Sequence, residues 1–259
     1  MKDFQESAAA LNYIIEKYDN IVFFGGAGVS TESGIPDFRS VDGLYHQQYD
    51  YPPEIILSHS FYRSDPEEFY RFYRCKMLFP NAQPNEAHKM LALLEQQGKV
   101  RAVITQNIDG LHQAAGSKTV LELHGSVLRN YCERCQTFYG LDYILGSVGI
   151  PKCEKCGGPI KPDVVLYEES LDENTLTDAI HYIRSAQVLI IGGTSLAVYP
   201  AAGLIDYFQG DKLIVINKSA TPKDRFADLL ICGSIGKIFS SLTPPPFSSS
   251  VHHSAKTEA

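Results

Sequence analysis

The stretch that decides the fold of this chain is Gly25-Gly26-Ala27-Gly28-Val29-Ser30-Thr31-Glu32-Ser33-Gly34-Ile35-Pro36-Asp37-Phe38-Arg39-Ser40. It follows the apolar run 21–24, which predicts a buried strand that ends in a glycine turn. Because glycine has no Cβ, such a turn lets the backbone approach a phosphate closely, and the stretch predicts a nucleotide site. Thr31 stands where a complete G-x-G-x-x-G motif has its third glycine, so a strand-to-helix turn without a ligand explains the motif equally well. The continuation favours a site, because its stiff loop places an acid, an aromatic ring and a base where they could cover a cofactor.

A second strand and turn repeats this pattern later in the chain. The apolar run 188–191 leads into Gly192-Gly193-Thr194-Ser195, and two such turns suit a dinucleotide better than a mononucleotide. Further strands are predicted at 100–104, 213–217 and 228–232, with amphipathic helices between the strands. The run Ser64-Asp65-Pro66-Glu67 resembles a capping box that starts one helix, Asn85 and Asp172 are predicted to cap the starts of two others, and Gly98 is predicted to end the helix that starts at Asn85. Alternation of strands and helices predicts an α/β fold, with a Rossmann-like parallel sheet whose ligands bind at the carboxyl ends of the strands.

Polar residues follow two of these strands. Thr105-Gln106-Asn107-Ile108-Asp109-Gly110 comes directly after the strand 100–104, and we favour a binding site there over a turn built on Asn107 and Asp109. His124 ends the short apolar stretch 121–123 and is a candidate general base facing the same crevice. His112 is its rival, but its surroundings are more typical of a short helix that stops at Gly116.

The cysteines predict a metal site. Cys132, Cys135, Cys153 and Cys156 form two C-x-x-C pairs separated by 17 residues, a spacing that presents four thiolates to zinc. Four protein ligands leave no open position, so the ion is expected to stabilise a ribbon and not to activate water. A redox C-x-x-C is the competing interpretation, and the duplication argues against it. We expect the remaining two cysteines, Cys75 and Cys232, to be buried free thiols.

Composition and charge exclude several classes. The formal net charge of −7 argues against general binding to nucleic acid, and the few basic residues of the cysteine ribbon do not reverse this. No apolar run approaches the roughly 20 residues that span a bilayer, and the N-terminal residues do not resemble a signal peptide, so we expect a cytoplasmic protein that does not bind membranes. Residues 243–259 are rich in Pro, Ser and His and are expected to be disordered.

An extended peptide is a candidate partner. The run Val164-Val165-Leu166-Tyr167 is β-branched and apolar, and Pro162 just before it is typical of an edge strand. An edge strand can accept another strand in pairing, so these four residues are predicted to hold a substrate peptide.

Together these motifs resemble the sirtuin family of NAD-dependent protein deacylases. The motifs occur in the family's order and cover the chain from about the first helix to Leu242: Gly26 to Arg39, Thr105-Gln106-Asn107-Ile108-Asp109, Leu123-His124-Gly125, the four cysteines, and Gly193-Thr194-Ser195-Leu196. The resemblance implies a discontinuous Rossmann-like NAD-binding domain and a small domain, with an acyl-lysine peptide in the cleft between them. The implied NAD-binding domain comprises 1–40, 82–128 and 162–242, and the implied small domain comprises the helical insertion 41–81 and the zinc ribbon 129–161.

The resemblance also assigns roles to residues. His124 is the implied general base, and Asn107 is catalytic beside it; Phe38 screens the ribose once nicotinamide has left. The residues assigned to NAD are Gly26, Ala27, Gly28, Thr31, Phe38, Arg39, Gln106, Asn107, Ile108, Asp109, Gly193, Thr194, Ser195, Asn217, Lys218 and Cys232. One structural zinc ion is the second implied cofactor.

The implied reaction transfers the acetyl group of acetyl-lysine to ADP-ribose, releasing nicotinamide and O-acetyl-ADP-ribose. Family members that prefer succinyl or malonyl groups carry a tyrosine and an arginine three positions apart, whereas Tyr70 here is followed at that distance by Tyr73. Arg71 and Arg74 are the nearest substitutes and are out of register, so a neutral acyl group is expected. A protein ADP-ribosyltransferase and a non-catalytic NAD-binding or zinc-ribbon adaptor are the alternative functions.

Overall fold

The structure is a computed structural model that describes residues 4–38, 43 and 51–244. Its strands are β1 (Ile21–Gly25), β2 (Val100–Thr105), β3 (Val120–Glu122), β4 (Gly125–Cys132), β5 (Phe138–Tyr139), β6 (Ile160–Val164), β7 (Val188–Gly192), β8 (Lys212–Asn217) and β9 (Leu229–Cys232). Its helices are α1 (Phe4–Lys17), α2 (Pro53–Ile56), α3 (His59–Ser64), α4 (Pro66–Lys76), α5 (Glu86–Gln96), α6 (Leu111–Ala114), α7 (Leu141–Gly146), α8 (Glu173–Ser185) and α9 (Ile235–Ser240).

The main sheet has six parallel strands in the order β3-β2-β1-β7-β8-β9. Every residue of β1 and β7, the two central strands, is buried, which fits their uninterrupted apolar sequences. The strand order reverses between β1 and β7, so the glycine turns that follow both strands emerge at the topological switch point where dinucleotides bind. The predicted Rossmann-like sheet is confirmed.

Helices cover both faces of this sheet. On one face, α1, α5 and α9 contribute apolar side chains such as Leu11, Leu91 and Phe239 to one core cluster. On the other face, α8 and a 3-10 helix at Ala201–Tyr207 contribute to a second cluster. The apolar spacing of each helix therefore determines which side lies against the sheet.

Local sequence signals fix the helix starts. The side chain of Asp65 accepts a hydrogen bond from Glu68 N at the start of α4, and Asp172 accepts one from Thr175 N at the start of α8. Asn85 caps α5 as predicted, and Gly98 follows this helix with a φ of +74°, a conformation in which glycine carries no Cβ penalty. These caps confirm the predicted helix starts and the predicted stop of α5.

A smaller unit holds the cysteines. Its antiparallel sheet has the order β5-β4-β6, with β6 at the edge as predicted. Apolar side chains of α2, α3 and α4 share one buried cluster with this sheet, including Phe69, Tyr70 and Ile160. The strands β4 and β6 run past the predicted ribbon limits of 129–161, since the antiparallel pairing joins Gly125 to Val164. The domain limits as a whole remain a prediction.

The expected burial of two cysteines needs correction. Cys75 and Cys232 are both exposed, not buried, because each lies on the outer side of a surface element, where its neighbours in sequence take the inward positions. The range 41–60 is predicted to be irregular or to form short helical pieces, and its described part contains the short helix α2 and the start of α3. Residues 39–42, 44–50 and the tail from 245 onwards lie outside the described residues.

Candidate active site

The two glycine turns pack directly against each other. Gly28 N donates a hydrogen bond to Gly193 O over 2.8 Å, and Gly26 N donates to Gly192 O over 3.3 Å. A Cβ on Gly28 would lie 2.8 Å from Gly193 O, and one on Gly193 would lie 2.4 Å from Val29 N. Gly193 also has a φ of +58°, which a side chain would strain. These glycines therefore form a backbone cradle with no room for side chains.

The segment after β2 connects to both turns. Gln106 N donates to Gly25 O over 3.0 Å, and Gln106 Nε2 donates to Thr194 Oγ1 over 3.0 Å. The two glycine turns follow the adjacent strands β1 and β7, and Gln106 follows β2 on the other side of β1. The Gln106 side chain therefore extends past the first turn and reaches the second one. Thr194 Oγ1 also accepts from Leu196 N over 3.2 Å, which fixes the hydroxyl.

Ser30 is a site residue that the sequence interpretation missed. Its Oγ donates to Asp109 Oδ2 over 2.6 Å and accepts from Asn107 Nδ2 over 3.0 Å. Burial raises the pKa of Asp109, while hydrogen bonds from Ser30 and Leu111 N partly offset that rise. Ser30 lies inside the quoted glycine stretch, but its partners Asp109 and Asn107 are 79 and 77 positions away in sequence. The one sequence signal for its contacts with them is a small polar side chain in the turn that follows a strand predicted to be buried.

His124 lies between β3 and β4 at the same edge. Its Nδ1 lies 3.0 Å from Gln106 O. A carbonyl oxygen only accepts, so Nδ1 carries the proton and Nε2 keeps its lone pair. Burial lowers the pKa of His124 below its ordinary value of 6.5, and the hydrogen bond to Gln106 opposes that shift. The imidazole is therefore neutral near pH 7 and basic at Nε2.

These groups line one large cavity of about 800 Å³. The predicted site residues in its lining are Gly26, Ala27, Gly28, Thr31, Phe38, Gln106, Asn107, Ile108, Asp109, His124, Val164, Val165, Leu166, Tyr167, Gly193, Thr194, Ser195, Asn217 and Lys218. The cavity is large enough for a dinucleotide fragment together with an extended side chain. The glycine turns in its wall carry no side chains, which is what lets a pyrophosphate come close to backbone N–H groups.

Two predicted site residues are not placed in this lining. Cys232 is exposed at the end of β9, and the next residue, Gly233, lines the cavity in its stead. Arg39 lies outside the described residues. The structure adds Tyr73, Lys76 and Met77 from the α4 region to the cavity wall.

The four cysteines form a compact cluster in the small unit. All four Sγ atoms lie within 4.8 Å of one another, and Cys132 and Cys156 are 3.4 Å apart. Tetrahedral zinc with Zn–S bonds of about 2.3 Å places sulfur atoms roughly 3.8 Å apart, so the donor set fits that ion. Tyr139 Oη donates to Cys153 Sγ over 3.2 Å and accepts from Glu154 N, which orients one ligand from outside.

The fold and cleft define a dinucleotide-binding α/β protein with a metal-stabilised second unit. The model of the Sir2 family matches residues 26–200, so the chain belongs to that family, the sirtuins. An NAD-dependent protein deacetylase of Clostridium perfringens is 62% identical over 231 residues, covering 88% of this chain and 95% of the relative. The enzyme of that name from Clostridium acetobutylicum is 58% identical over 235 residues, covering 90% of this chain and 96% of the relative.

Solved structures agree with the family. A structure titled as Sir2 with a p53 peptide and NAD⁺ superposes with a TM-score of 0.79 at 42% identity, covering 89% of this chain and 95% of that one. A second, titled as Sir2 bound to acetylated peptide, has a TM-score of 0.80 at 38% identity, covering 93% and 96%. No helix within residues 4–38 and 51–244 is long and apolar enough to cross a bilayer.

Proposed function

We propose that this protein is an NAD-dependent protein lysine deacetylase. It transfers the acetyl group of acetyl-lysine to ADP-ribose and releases nicotinamide. The observation that carries the proposal is the neutral, partly buried His124, which keeps its Nε2 lone pair in a cavity that also holds the glycine cradle. Close relatives named as NAD-dependent protein deacetylases support the same function.

NAD and one zinc ion are the cofactors. The cradle of Gly26, Gly28 and Gly193 would hold the pyrophosphate of NAD, and Thr194, Ser195, Asn217 and Lys218 would hold its adenosine half, with Ala27 and Thr31 completing the loop; all of these residues line the cavity. When bound, NAD supplies an electrophilic ribose carbon with nicotinamide as its leaving group. The zinc ion is held by the four cysteines and stabilises the small unit, because four thiolates leave no open coordination position.

The nicotinamide end is placed by Gln106, Asn107, Ile108 and Asp109. The Ser30 hydroxyl fixes the side chains of Asn107 and Asp109 relative to each other, so that amide and carboxyl groups reach the cavity in one arrangement. Phe38 lies at the cavity wall, where its ring would exclude water from the ribose of a bound NAD. Arg39, one residue beyond, is proposed to act from the same loop.

His124 moves the proton. Its Nε2 would accept a proton from a ribose hydroxyl of bound NAD, while Nδ1–H stays bonded to Gln106 O and holds the ring in orientation. Because burial lowers the pKa of His124, a larger fraction of the imidazole is neutral near pH 7 than for an ordinary histidine.

The acyl-lysine peptide is proposed to lie along Val164, Val165, Leu166 and Tyr167. These residues form one wall of the cavity, and Ser195, Val198 and Tyr199 line it from the loop after β7. An extended chain between these walls can add to the sheet edge through its backbone. Its acyl-lysine side chain then points inward towards His124.

A neutral acyl group is proposed. Arg74 does not line the cavity, since its guanidinium donates to Ile144 O, Ser147 Oγ and Gly149 O in the small unit. Tyr70 is fully buried and donates to Ile160 O, whereas the uncharged Tyr73 lines the cavity. Lys76 also lines it, so the deciding measurement compares kcat/KM for acetyl and succinyl peptides in wild type and in Lys76→Met. A higher value for succinyl-lysine in wild type overturns the proposal.

The cell compartment is proposed to be the cytoplasm. Two C-x-x-C pairs brought together as a thiolate cluster need a reducing environment, which the cytosol provides.

One experiment tests the function. The protein is incubated with an acetyl-lysine peptide with and without NAD, in wild type, His124→Ala and the surface variant His181→Ala, and nicotinamide, deacetylated peptide and O-acetyl-ADP-ribose are quantified. The proposal expects NAD-dependent turnover in wild type and His181→Ala and a loss of at least about 100-fold in His124→Ala. Turnover without NAD or unchanged turnover in His124→Ala contradicts it. Labelling of protein by labelled NAD without an acyl-lysine indicates an ADP-ribosyltransferase instead, and no turnover at all indicates an adaptor.

A further inference from the structure

Glu168 adopts an unusual backbone conformation beside the proposed peptide wall. It follows Tyr167 directly and has a φ of +74°, which a residue with a side chain rarely adopts. Its carboxylate Oε2 accepts two hydrogen bonds from one residue, from Ser60 N over 2.9 Å and from Ser60 Oγ over 2.6 Å. These two bonds hold the side chain in one position and offset the strain of the backbone.

The two oxygens of this carboxylate differ. Oε2 is satisfied by Ser60, whereas Oε1 accepts no hydrogen bond from any residue that the structure describes. The pKa of the Glu168 carboxyl lies below its ordinary value because the Ser60 hydroxyl and backbone N–H stabilise the charged form. Glu168 is therefore a fixed anion with one open acceptor at pH 7.

The neighbouring acid is in a different state. Glu169 lies 2.8 Å from His59 Nδ1 and 3.1 Å from Lys161 Nζ, so its charge is offset within the protein. Glu168 forms no salt bridge among the described residues, and His59, the partner of Glu169, acts on its charge only from beyond salt-bridge distance. Of these two acids, only Glu168 has a charge left for a ligand.

This free charge lies in the wall of the cavity. Glu168 is exposed and lines the cavity together with Val164, Leu166 and Tyr167, the residues proposed to bind peptide backbone. The other charged side chains in the lining are Asp37, Lys76, Asp109, Lys218 and the paired Glu169. The two cations in the described part of the lining lie on other elements, because Lys218 follows β8 and Lys76 ends α4. The 164–169 segment that carries Glu168 contributes no cation to the lining.

We propose that Glu168 selects substrates in which a lysine or arginine lies close in sequence to the acyl-lysine. The inference rests on the proposed deacetylase function and names the substrate class of that site. Acetylation removes the charge of the target lysine, so an acid on the peptide wall recognises a neighbouring residue and not the modified one. The net charge of −7 acts in the same direction, because it favours encounter with basic peptides.

The test uses two acetyl-lysine peptides that differ only in flanking residues, arginine in one and glutamine in the other. For wild type, kcat/KM for the arginine peptide is expected to exceed that for the glutamine peptide by about two- to fivefold at low salt, the size of an exposed ion pair, and to approach it at high salt. In Glu168→Gln the ratio falls towards one, since the amide oxygen still accepts from Ser60 but carries no charge. Glu173→Gln, an exposed acid at the start of α8, keeps the wild-type ratio.

Charge reversal provides a second variant. Glu168→Lys is expected to invert the preference, so that a peptide with glutamate flanks is turned over better than one with arginine flanks. Thermal unfolding and zinc content show whether each variant is folded. If a variant does not fold, the ratio of kcat/KM for the two peptides in wild type and its dependence on salt still test the inference.

Two outcomes overturn the inference, namely equal kcat/KM for both peptides in wild type or an unchanged ratio in Glu168→Gln. Both leave deacetylation itself intact. Failure of the proposed function looks different, because then neither peptide is deacetylated at any salt concentration.

Discussion

His124 Nδ1 donates its proton to Gln106 O across 3.0 Å, and this one contact fixes which ring nitrogen is basic. Gln106 in turn donates from Nε2 to Thr194 Oγ1 in the second glycine turn. His124 is therefore held by the segment that also contacts the second glycine turn. Gln106 therefore contacts both the histidine ring and the second glycine turn.

The pH profile of the enzyme follows from this environment. Burial lowers the pKa of His124 below 6.5, so the neutral base persists as the pH falls through 6.5 and is lost only at lower pH. We expect the acidic limb of kcat/KM against pH to have its midpoint below 6.5, measured with an acetyl-lysine peptide at saturating NAD. A midpoint above 6.5 contradicts the assignment, as does an unchanged limb in His124→Ala.

Ser30 is expected to be needed for NAD affinity. Ser30→Ala removes the acceptor of Asn107 Nδ2 and the donor to Asp109 Oδ2, leaving two part-buried polar groups without their partner. One such loss costs about 1–3 kcal/mol, so kcat/KM for NAD should fall by about five- to 150-fold. The matched control is Ser117→Ala, since Ser117 is also buried but its hydroxyl has no partner in the described structure. Equal effects of the two substitutions would indicate a packing defect only.

The sequence predicts those features that depend on neighbours along the chain. Helix caps at Asp65, Asn85 and Asp172, the buried strands and the cysteine pairs were all identifiable, because capping, periodicity and ligand spacing are local. The site edge was also predictable, since a parallel sheet brings the carboxyl ends of its strands together.

Contacts between distant segments were not predictable. Ser30 meets Asp109, which lies 79 positions away, and nothing near Ser30 in sequence indicates that partner. The exposure of Cys75 and Cys232 depends on which side of the helix or strand they occupy. The residue type alone does not tell which side that is. The positive φ of Glu168 occurs in a turn, and its carboxylate accepts hydrogen bonds from Ser60 of α3, a residue 108 positions away.

Zinc is expected to be essential for the small unit. Cys156→Ser removes one of four thiolates, and the remaining three hold the ion weakly, so the core shared by the ribbon and α4 loses its support. We expect one zinc per chain in wild type by elemental analysis, less than one in Cys156→Ser, and a parallel loss of deacetylation. Cys75→Ser and Cys232→Ser remove exposed cysteines outside the cluster and should retain full zinc. Full zinc content in Cys156→Ser would contradict a four-thiolate site.

A buried histidine pair makes stability depend on pH. Asn85 N donates to His88 Nδ1 over 3.2 Å, so this nitrogen is unprotonated and completes the cap of α5. The His88 ring lies 4.7 Å from that of His112, whose two nitrogens have no partner among the described residues. Burial lowers the pKa of His88 to about 4, and burial together with the neighbouring His88 lowers the pKa of His112 well below its ordinary value. Both rings are therefore neutral in the folded protein, while in the unfolded chain they bind protons near pH 6.5.

The stabilisation from the neutral pair is fully present above pH 6.5 and is lost as the pH falls from 6.5 towards 4. For His88 alone the loss is on the order of 3 kcal/mol in the free energy of unfolding, measured by urea denaturation across this range. His88→Gln should reduce this dependence to the part contributed by His112 while keeping stability near neutral pH, because glutamine at this position can still accept from Asn85 N. His88→Leu removes both the titration of His88 and the cap, so it should reduce the dependence in the same way and also lower stability at pH 7.5 by about 1 kcal/mol. A slope in His88→Gln as steep as in wild type would assign the pH dependence to other groups, because His88 would then contribute no proton uptake on unfolding.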